Sequence, residues 1–199
     1  MTITYEVGNS LYVNITNRCT NDCDFCIRRL GDGAYGSDSL WLEREPSVEE
    51  ICGSVFSHDL TKYEELVFCG YGEPAMRFYD LIEVSRRVKE RSDIRIRLNT
   101  NGHANHICGR DVTPLLKDCV DCVSVSLNSA DSESYEKLCH PCFPGAYDAL
   151  IDFTRKAVPY VKEAVLSVVS TTLSDDDIER CKLIASRTGA KLRIREIVK

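Results

Sequence analysis

The sequence predicts an α/β fold in which a six-stranded parallel sheet curls into a partial, laterally open (β/α)6 barrel, with residues 1–199 forming a single domain. Three observations predict it. Short β-rich runs alternate with helical segments, which is the signature of parallel strands joined by helical crossovers. Nearly every strand alternates apolar with polar residues, so one face meets helices and the other a wet lumen. The length also falls short of the roughly 250 residues of a closed eight-stranded barrel, whose interior would be filled with Val, Ile and Leu.

The expected strands are 11–16, 65–69, 94–99, 122–128, 165–169 and 192–197. Polar Tyr12, Asn14 and Thr16 alternate with apolar Leu11, Val13 and Ile15. Arg95, Arg97 and Asn99 alternate in the same way with Ile94, Ile96 and Leu98, as do Ser124, Ser126 and Asn128 with Val123, Val125 and Leu127. In the last strand Arg193 and Arg195 alternate with Leu192 and Ile194. The expected helices are 48–58, 79–91, 111–117, 145–161 and 175–188, the last opened by Ser174 as an N-cap and closed by Gly189. An open antiparallel sheet with one solvated face would alternate similarly, but the helices between strands oppose it.

A chain this long buries enough surface to fold without disulfides or a structural metal. No apolar run approaches the roughly 20 residues of a membrane span, and no secretory leader pattern opens the sequence, so the expected location is cytoplasmic and reducing. Eleven cysteines are an odd count, and three are crowded together, which favours thiolate ligation over a disulfide framework. The net charge of −6 and the lack of a basic block argue against a general nucleic-acid surface while leaving a local patch open.

Cys19, Cys23 and Cys26 follow the first strand, with three and then two residues between them. A loop of this size wraps thiolates around one metal centre, and three ligands leave a fourth coordination position open. Zinc, completed by His103 or His106, is the competing reading.

This Cys-x3-Cys-x2-Cys loop, with aromatic Phe25 before the last cysteine, resembles the signature of the radical S-adenosylmethionine (SAM) superfamily. Gly70-Tyr71-Gly72-Glu73-Pro74 resembles that superfamily's Gly-Gly-Glu-Pro segment, with Tyr71 where glycine is usual. Leu98-Asn99-Thr100-Asn101-Gly102 resembles its Thr-Asn-Gly strand ending, and Ser124-Val125-Ser126-Leu127-Asn128 lies where members carry polar residues facing ribose or the methionine carboxylate. All four segments fall at carboxyl ends of strands, where such folds hold ligands. Within the superfamily the chain is most similar to the small group of proteins associated with TatD-family nucleases, through residues 12–19 and 192–196.

The resemblance implies a [4Fe–4S] cluster on Cys19, Cys23 and Cys26, S-adenosylmethionine on its open iron, and an electron donor such as flavodoxin or ferredoxin. It implies cofactor contacts from Phe25, from Gly70, Tyr71, Gly72 and Glu73, from Asn99, Thr100 and Asn101, and from Ser126 and Asn128, with Arg193 and Arg195 as further candidates. A strand end followed by Glu73 and φ-fixing Pro74 can present carbonyls and a carboxylate to the methionine ammonium. A plain turn with a solvated glutamate is the alternative.

Guanidinium groups of Arg95, Arg97, Arg193 and Arg195 in a lumen need an anion. A substrate carboxylate or phosphate supplies it, or the methionine carboxylate, or internal acids such as Glu73 and Glu196, unless the strand parity turns these arginines to solvent. Cys52, Cys69 and Cys181 read as small buried hydrophobes, and Cys119 and Cys122 lie at the far end of the barrel. Cys108, Cys139 and Cys142 fall in loops on the ligand side, where scattered cysteines compete with a second metal site. Three functions remain open: a radical enzyme acting on a small anion, an enzyme activating or modifying a protein or nucleic-acid partner, and a non-catalytic iron–sulfur or zinc protein; the resemblance separately implies association with a TatD-family nuclease.

Overall fold

The computed structural model describes residues 1–196, so Ile197 of the expected last strand lies outside the described residues. Within them, seven strands form one sheet in sequential order. β1 (Thr4–Val7) pairs antiparallel with β2 (Ser10–Val13). All later neighbours pair parallel: β3 (Glu65–Phe68), β4 (Arg95–Thr100), β5 (Cys122–Ser126), β6 (Glu163–Val169) and β7 (Lys191–Arg195). The six expected strands are present, and β1 is an added edge strand. Its hairpin turns at Gly8-Asn9, with Gly8 in the left-handed region (φ 56°) that a two-residue hairpin loop demands.

The helices are α1 (Val48–Phe56), α2 (Phe78–Lys89), α3 (Ala104–Cys108), α4 (Ser132–Cys139), α5 (Ala146–Ala157) and α6 (Asp175–Thr188). Ser174 caps α6 in a reciprocal box with Asp177, and Gly189 closes it at φ 79°. The helix expected over 111–117 is instead a single 3-10 turn, Thr113–Leu116, preceded by the short α3. Its Asp111 ties the following turn by accepting from Thr113 N and Oγ1, and Pro114 lacks the N–H a longer helix would use. α4 was not expected. It begins at Asp131, whose carboxylate accepts from Ser134 N, and it places Cys139 in a helix rather than a loop.

Register explains the two-faced strands. Leu11, Leu66 and Ile96 lie across from one another, as do Val13, Phe68 and Leu98, all fully buried under the helices. Tyr12, Val67, Arg97, Cys122 and Glu163 form a row on the opposite, lumenal face. The stripe is less polar than the alternation implied, since Val67, Val165 and Val169 also face inward by register.

At the amino ends of the strands the lumen is closed by charge. Arg95 pairs with Glu65 at 3.0 Å and with Glu163, Glu163 with Lys191 at 2.8 Å, and Arg97 with Glu65 at 3.3 Å. Lys191 and then Arg95 hold the Glu163 carboxyl down at about 2. Arg95 and Arg97 thus have internal partners, but Glu65 and Glu163 rather than the expected Glu73 and Glu196.

Asp121 pins the same end from outside. Its buried carboxylate accepts from Ile96 N at 2.8 Å and Lys89 Nζ at 2.6 Å, and pairs with Lys162 at 2.7 Å. Removing it strands a main-chain donor and the part-buried Lys89. Asp121→Ala should lower unfolding free energy by about 3 kcal/mol, read from the midpoint of urea denaturation at unchanged slope.

Candidate active site

A cavity of about 230 Å³ opens at the carboxyl ends of the strands. Cys19, Cys23 and Cys26 line it together with Phe25 and the intervening Asn21. Gly70, Tyr71, Gly72 and Glu73 form a second wall, and Asn99, Thr100 and Asn101 a third. Ser126 and Asn128 complete the cofactor candidates, and Arg195 reaches the cavity from β7. Arg193, by contrast, is exposed and does not line it, because it sits two residues earlier in β7 across from Ser167 rather than Val169.

The local chain explains the shape. A Cβ on Gly72 would lie 2.3 Å from Thr16 O and 2.6 Å from Arg18 O, so only glycine lets the third-strand ending press against the start of the cysteine loop. Glu73 N then donates to Arg18 O at 2.8 Å. Gly70 is as tightly held, with its Cβ position 2.1 Å from Asn14 Oδ1. Tyr71, at the non-glycine position, points its hydroxyl to Gly31 O at 2.7 Å and packs edge-on against Trp41, ring centroids 5.1 Å apart. The tyrosine thereby ties the segment after the cysteine loop to the cavity wall.

Glu73 is 4% exposed and its carboxylate is already engaged. Oε1 accepts from Thr100 Oγ1 at 2.6 Å and Ala75 N at 2.9 Å, and Oε2 from Asn101 N at 2.7 Å. Burial pushes its pKa up, against those three donors. It is neither a solvated turn residue nor a carboxylate aimed freely at a ligand. The acceptors without a protein partner are instead Asn21 Oδ1 and Asn128 Oδ1, both in cavity-lining residues at least nine-tenths buried. Their amide nitrogens are spent on Tyr135 OH at 2.9 Å and Cys139 Sγ at 3.5 Å.

A circuit of hydrogen bonds holds the cysteine loop from behind. Asn101 Nδ2 donates to Thr20 Oγ1 at 2.7 Å, and Thr20 bonds His103 Nδ1 at 2.8 Å. His103 Nε2 meets Tyr135 OH at 3.3 Å, which also accepts from Asn21. Burial pushes the His103 ring down to about 4, so it is neutral at ordinary pH. Both ring nitrogens face hydroxyls, and His106 stacks on Phe143 with centroids 3.5 Å apart. Among the described residues no three His, Cys, Asp or Glu side chains converge as around a single ion. That fails to support zinc completed by either histidine.

The donor set fits a cubane cluster, whose cysteine ligands stand at separate corners rather than around one point. Three thiols face one cavity with two orphaned acceptors beside them. Burial, with the Glu73 carboxylate second, pushes the Cys19 thiol up to about 12, and burial raises Cys26. Contact with the Cys139 sulfur, then burial, raises Cys23. Without a metal these groups are thiols, and ligation must displace their protons.

Several lining residues were not expected, Asn21 and Cys69 among them. Asn21 was hidden inside the cysteine loop, where its spacing carried no separate signal. Cys69, read as packing, lines the cavity because its parity in the third strand is lumenal. Tyr5 and Tyr35 also line it, from the hairpin and from the segment after the cysteine loop.

The sequence model of the Radical SAM superfamily matches residues 13–183. The chain is 32% identical over 132 residues to a probable GTP 3′,8-cyclase of Methanocaldococcus jannaschii, a match covering 65% of this chain and 39% of that protein. The chain therefore spans about two fifths of the length of that curated relative. Among solved structures, SuiB of Streptococcus suis bound to the precursor peptide SuiA superposes with a TM-score of 0.69 at 15% identity, covering 96% of this chain and 39% of that one. TYW1 with a lysine-pyruvate adduct superposes with a TM-score of 0.67 at 12% identity, covering 96% and 65%. At these identities the structures show a shared fold.

Two outcomes follow from the geometry. Gly72→Ala should force the cysteine loop off the strand end and reduce iron per chain after anaerobic reconstitution, whereas Gly53→Ala, whose Cβ meets nothing within 4 Å, should load normally. Because His103 titrates near 4 folded against 6.5 unfolded, its contribution is whole above the unfolded value and shrinks as pH falls toward the folded one. Acid titration of the metal-free protein from about pH 6.5 to 4 should cost up to about 3 kcal/mol of stability at this residue, and His103→Gln should flatten that part of the profile.

Proposed function

The chain belongs to the radical SAM superfamily, whose members are enzymes using a [4Fe–4S] cluster and S-adenosylmethionine, and from that premise we propose the roles of its residues and its target. The observation that carries the reading is the convergence of four separated segments, at 19–26, 70–73, 99–101 and 126–128, on one cavity. In this reading Cys19, Cys23 and Cys26 hold the cluster. Asn21 Oδ1 and Asn128 Oδ1 supply acceptors for the methionine ammonium, alongside the carbonyls of residues 70–72. Ser126 and Asn99 offer polar groups to the ribose or carboxylate.

A cluster held by Cys19, Cys23 and Cys26 would supply the electron for reductive cleavage of S-adenosylmethionine bound beside it, and with it the capacity to take a hydrogen atom from substrate. The protein binds, orients and keeps water out. Glu73 holds the ends of the third and fourth strands in register with the cysteine loop. Leu40, Ala34 and Tyr71 cover one side of the cavity with buried apolar surface.

The target is a small anionic molecule, supported by Arg195, which lines the cavity. The relative is called a GTP cyclase, and a nucleotide would fit this charge. A macromolecular target is the second reading, supported by the sheet itself: β1 and β7 stand at opposite edges, leaving the barrel unclosed; association with a TatD-family nuclease belongs to the same proposal. A flavodoxin or ferredoxin is the fitting electron donor.

Anaerobic reconstitution followed by dithionite and S-adenosylmethionine should release 5′-deoxyadenosine, read by chromatography. Protein with a full cluster that yields none would overturn the enzymatic reading. Cys19→Ala, Cys23→Ala and Cys26→Ala should each lose the brown charge-transfer absorbance together with the product.

A further inference from the structure

The segment between the cysteine loop and α1 is clamped at its shoulders and strained at its tip. Ala34 and Leu40 are buried together with Tyr5 and Tyr71. Tyr71 OH donates to Gly31 O at 2.7 Å, Asn14 Nδ2 to Leu40 O at 2.7 Å, and Leu40 N to Asp32 O at 2.6 Å. Between these anchors Ser37 N donates to Ala34 O at 3.0 Å, closing a turn whose central residues, Tyr35 and Gly36, both lie in the left-handed region at φ 55° and 81°. Two positive φ values in succession are those of a type I′ turn, whose first central position suits glycine, asparagine or aspartate. Tyr35 occupies that position, and a bulky side chain is held there against a steric penalty.

Packing does not offset that penalty. Tyr35 is 49% exposed, and among the described residues it makes no hydrogen bond and no contact with another ring. It does line the cavity, as do Tyr5 and Tyr71. The hydroxyls of those two are spent on main-chain carbonyls, Tyr5 on Cys69 O at 3.3 Å and Tyr71 on Gly31 O, so this side of the cavity offers ring surface. Arg195 is the one cationic side chain among the described residues that line the cavity. It is exposed and makes no ion pair among the described residues, the adjacent Glu196 included. Tyr35 and Arg195 both lie outside the segments 19–26, 70–73, 99–101 and 126–128 that would hold the cluster and its cofactor.

We propose that Tyr35 is a substrate-contacting residue, its ring covering the base of a nucleoside phosphate whose phosphate is taken by Arg195. The proposal rests on the target being a small anion and names its class. An aromatic face stacks on a planar base, and a guanidinium takes phosphate oxygens two at a time. A phosphate alone would use Arg195 and leave the strained tyrosine unexplained. Backbone strain that packing does not account for, in a residue at a ligand cavity, is the mark of a side chain held for what binds there.

The test is calorimetric titration of the reconstituted protein, with S-adenosylmethionine and no reductant, against GTP and against inorganic triphosphate, with thermal unfolding measured in parallel. Wild type should bind GTP about tenfold more tightly than triphosphate. Tyr35→Asn should erase that difference by weakening GTP alone, and should raise the thermal midpoint by about 2–4 °C because asparagine suits the turn. Tyr35→Phe, which keeps the ring, should match wild type in both measurements. Arg195→Gln should weaken both ligands by about tenfold. Wild-type affinity for GTP in Tyr35→Asn, or a midpoint no higher than wild type, overturns the proposal. Binding of triphosphate with no preference for GTP overturns it as well, while leaving the anionic target standing. Binding of neither ligand sinks the anionic target beneath it.

Discussion

The buried carboxylate of Glu73 is the tie on which the cavity depends. It accepts from the main chain of the turn it opens, at Ala75, and from the end of the fourth strand, at Thr100 and Asn101. Asn101, so placed, reaches Thr20, and Thr20 holds His103. One carboxylate therefore fixes the third strand ending, the fourth strand ending and the back of the cysteine loop relative to one another. Such a group is costly to bury unless every donor is in place, so the arrangement tolerates few alternatives.

A second constraint is the division of labour along the strands. Their amino ends are closed by Glu65, Arg95, Glu163 and Lys191, whose charges cancel among themselves. Their carboxyl ends carry asparagine, serine, threonine and glycine, which can bend toward a ligand without demanding a counter-charge. The same residue types that would be liabilities in a dry core are affordable in a lumen with one sealed end.

Much of this was legible in the sequence, because period-two alternation and the spacing of Cys19, Cys23 and Cys26 are local signals. The Gly8-Asn9 turn was a local signal as well, and it marks a strand that the flanking residues, only four on each side, state too briefly. α4 is short and polar, its buried residues being Tyr135 and Cys139 alone, so no apolar stripe announced it. The partners of Arg95 and Arg97 were beyond reach for a different reason. Glu65 and Glu163 lie 30 residues before and 68 residues after Arg95 in the chain, and only the register brings them together. The role of Glu73 was missed in kind: a motif names a residue, but which of its oxygens are already taken depends on neighbours in space.

The pairing of Trp41 with Tyr71 gives the molecule a built-in optical gauge. Trp41 is the only tryptophan in the chain, is 39% exposed, and touches a ring that forms part of the cavity wall. Its fluorescence thus comes from a single known place, a few ångströms from where ligands would sit. Occupancy of the cavity can be followed by emission intensity, in the unlabelled protein and at dilutions too low for absorbance of the iron centre.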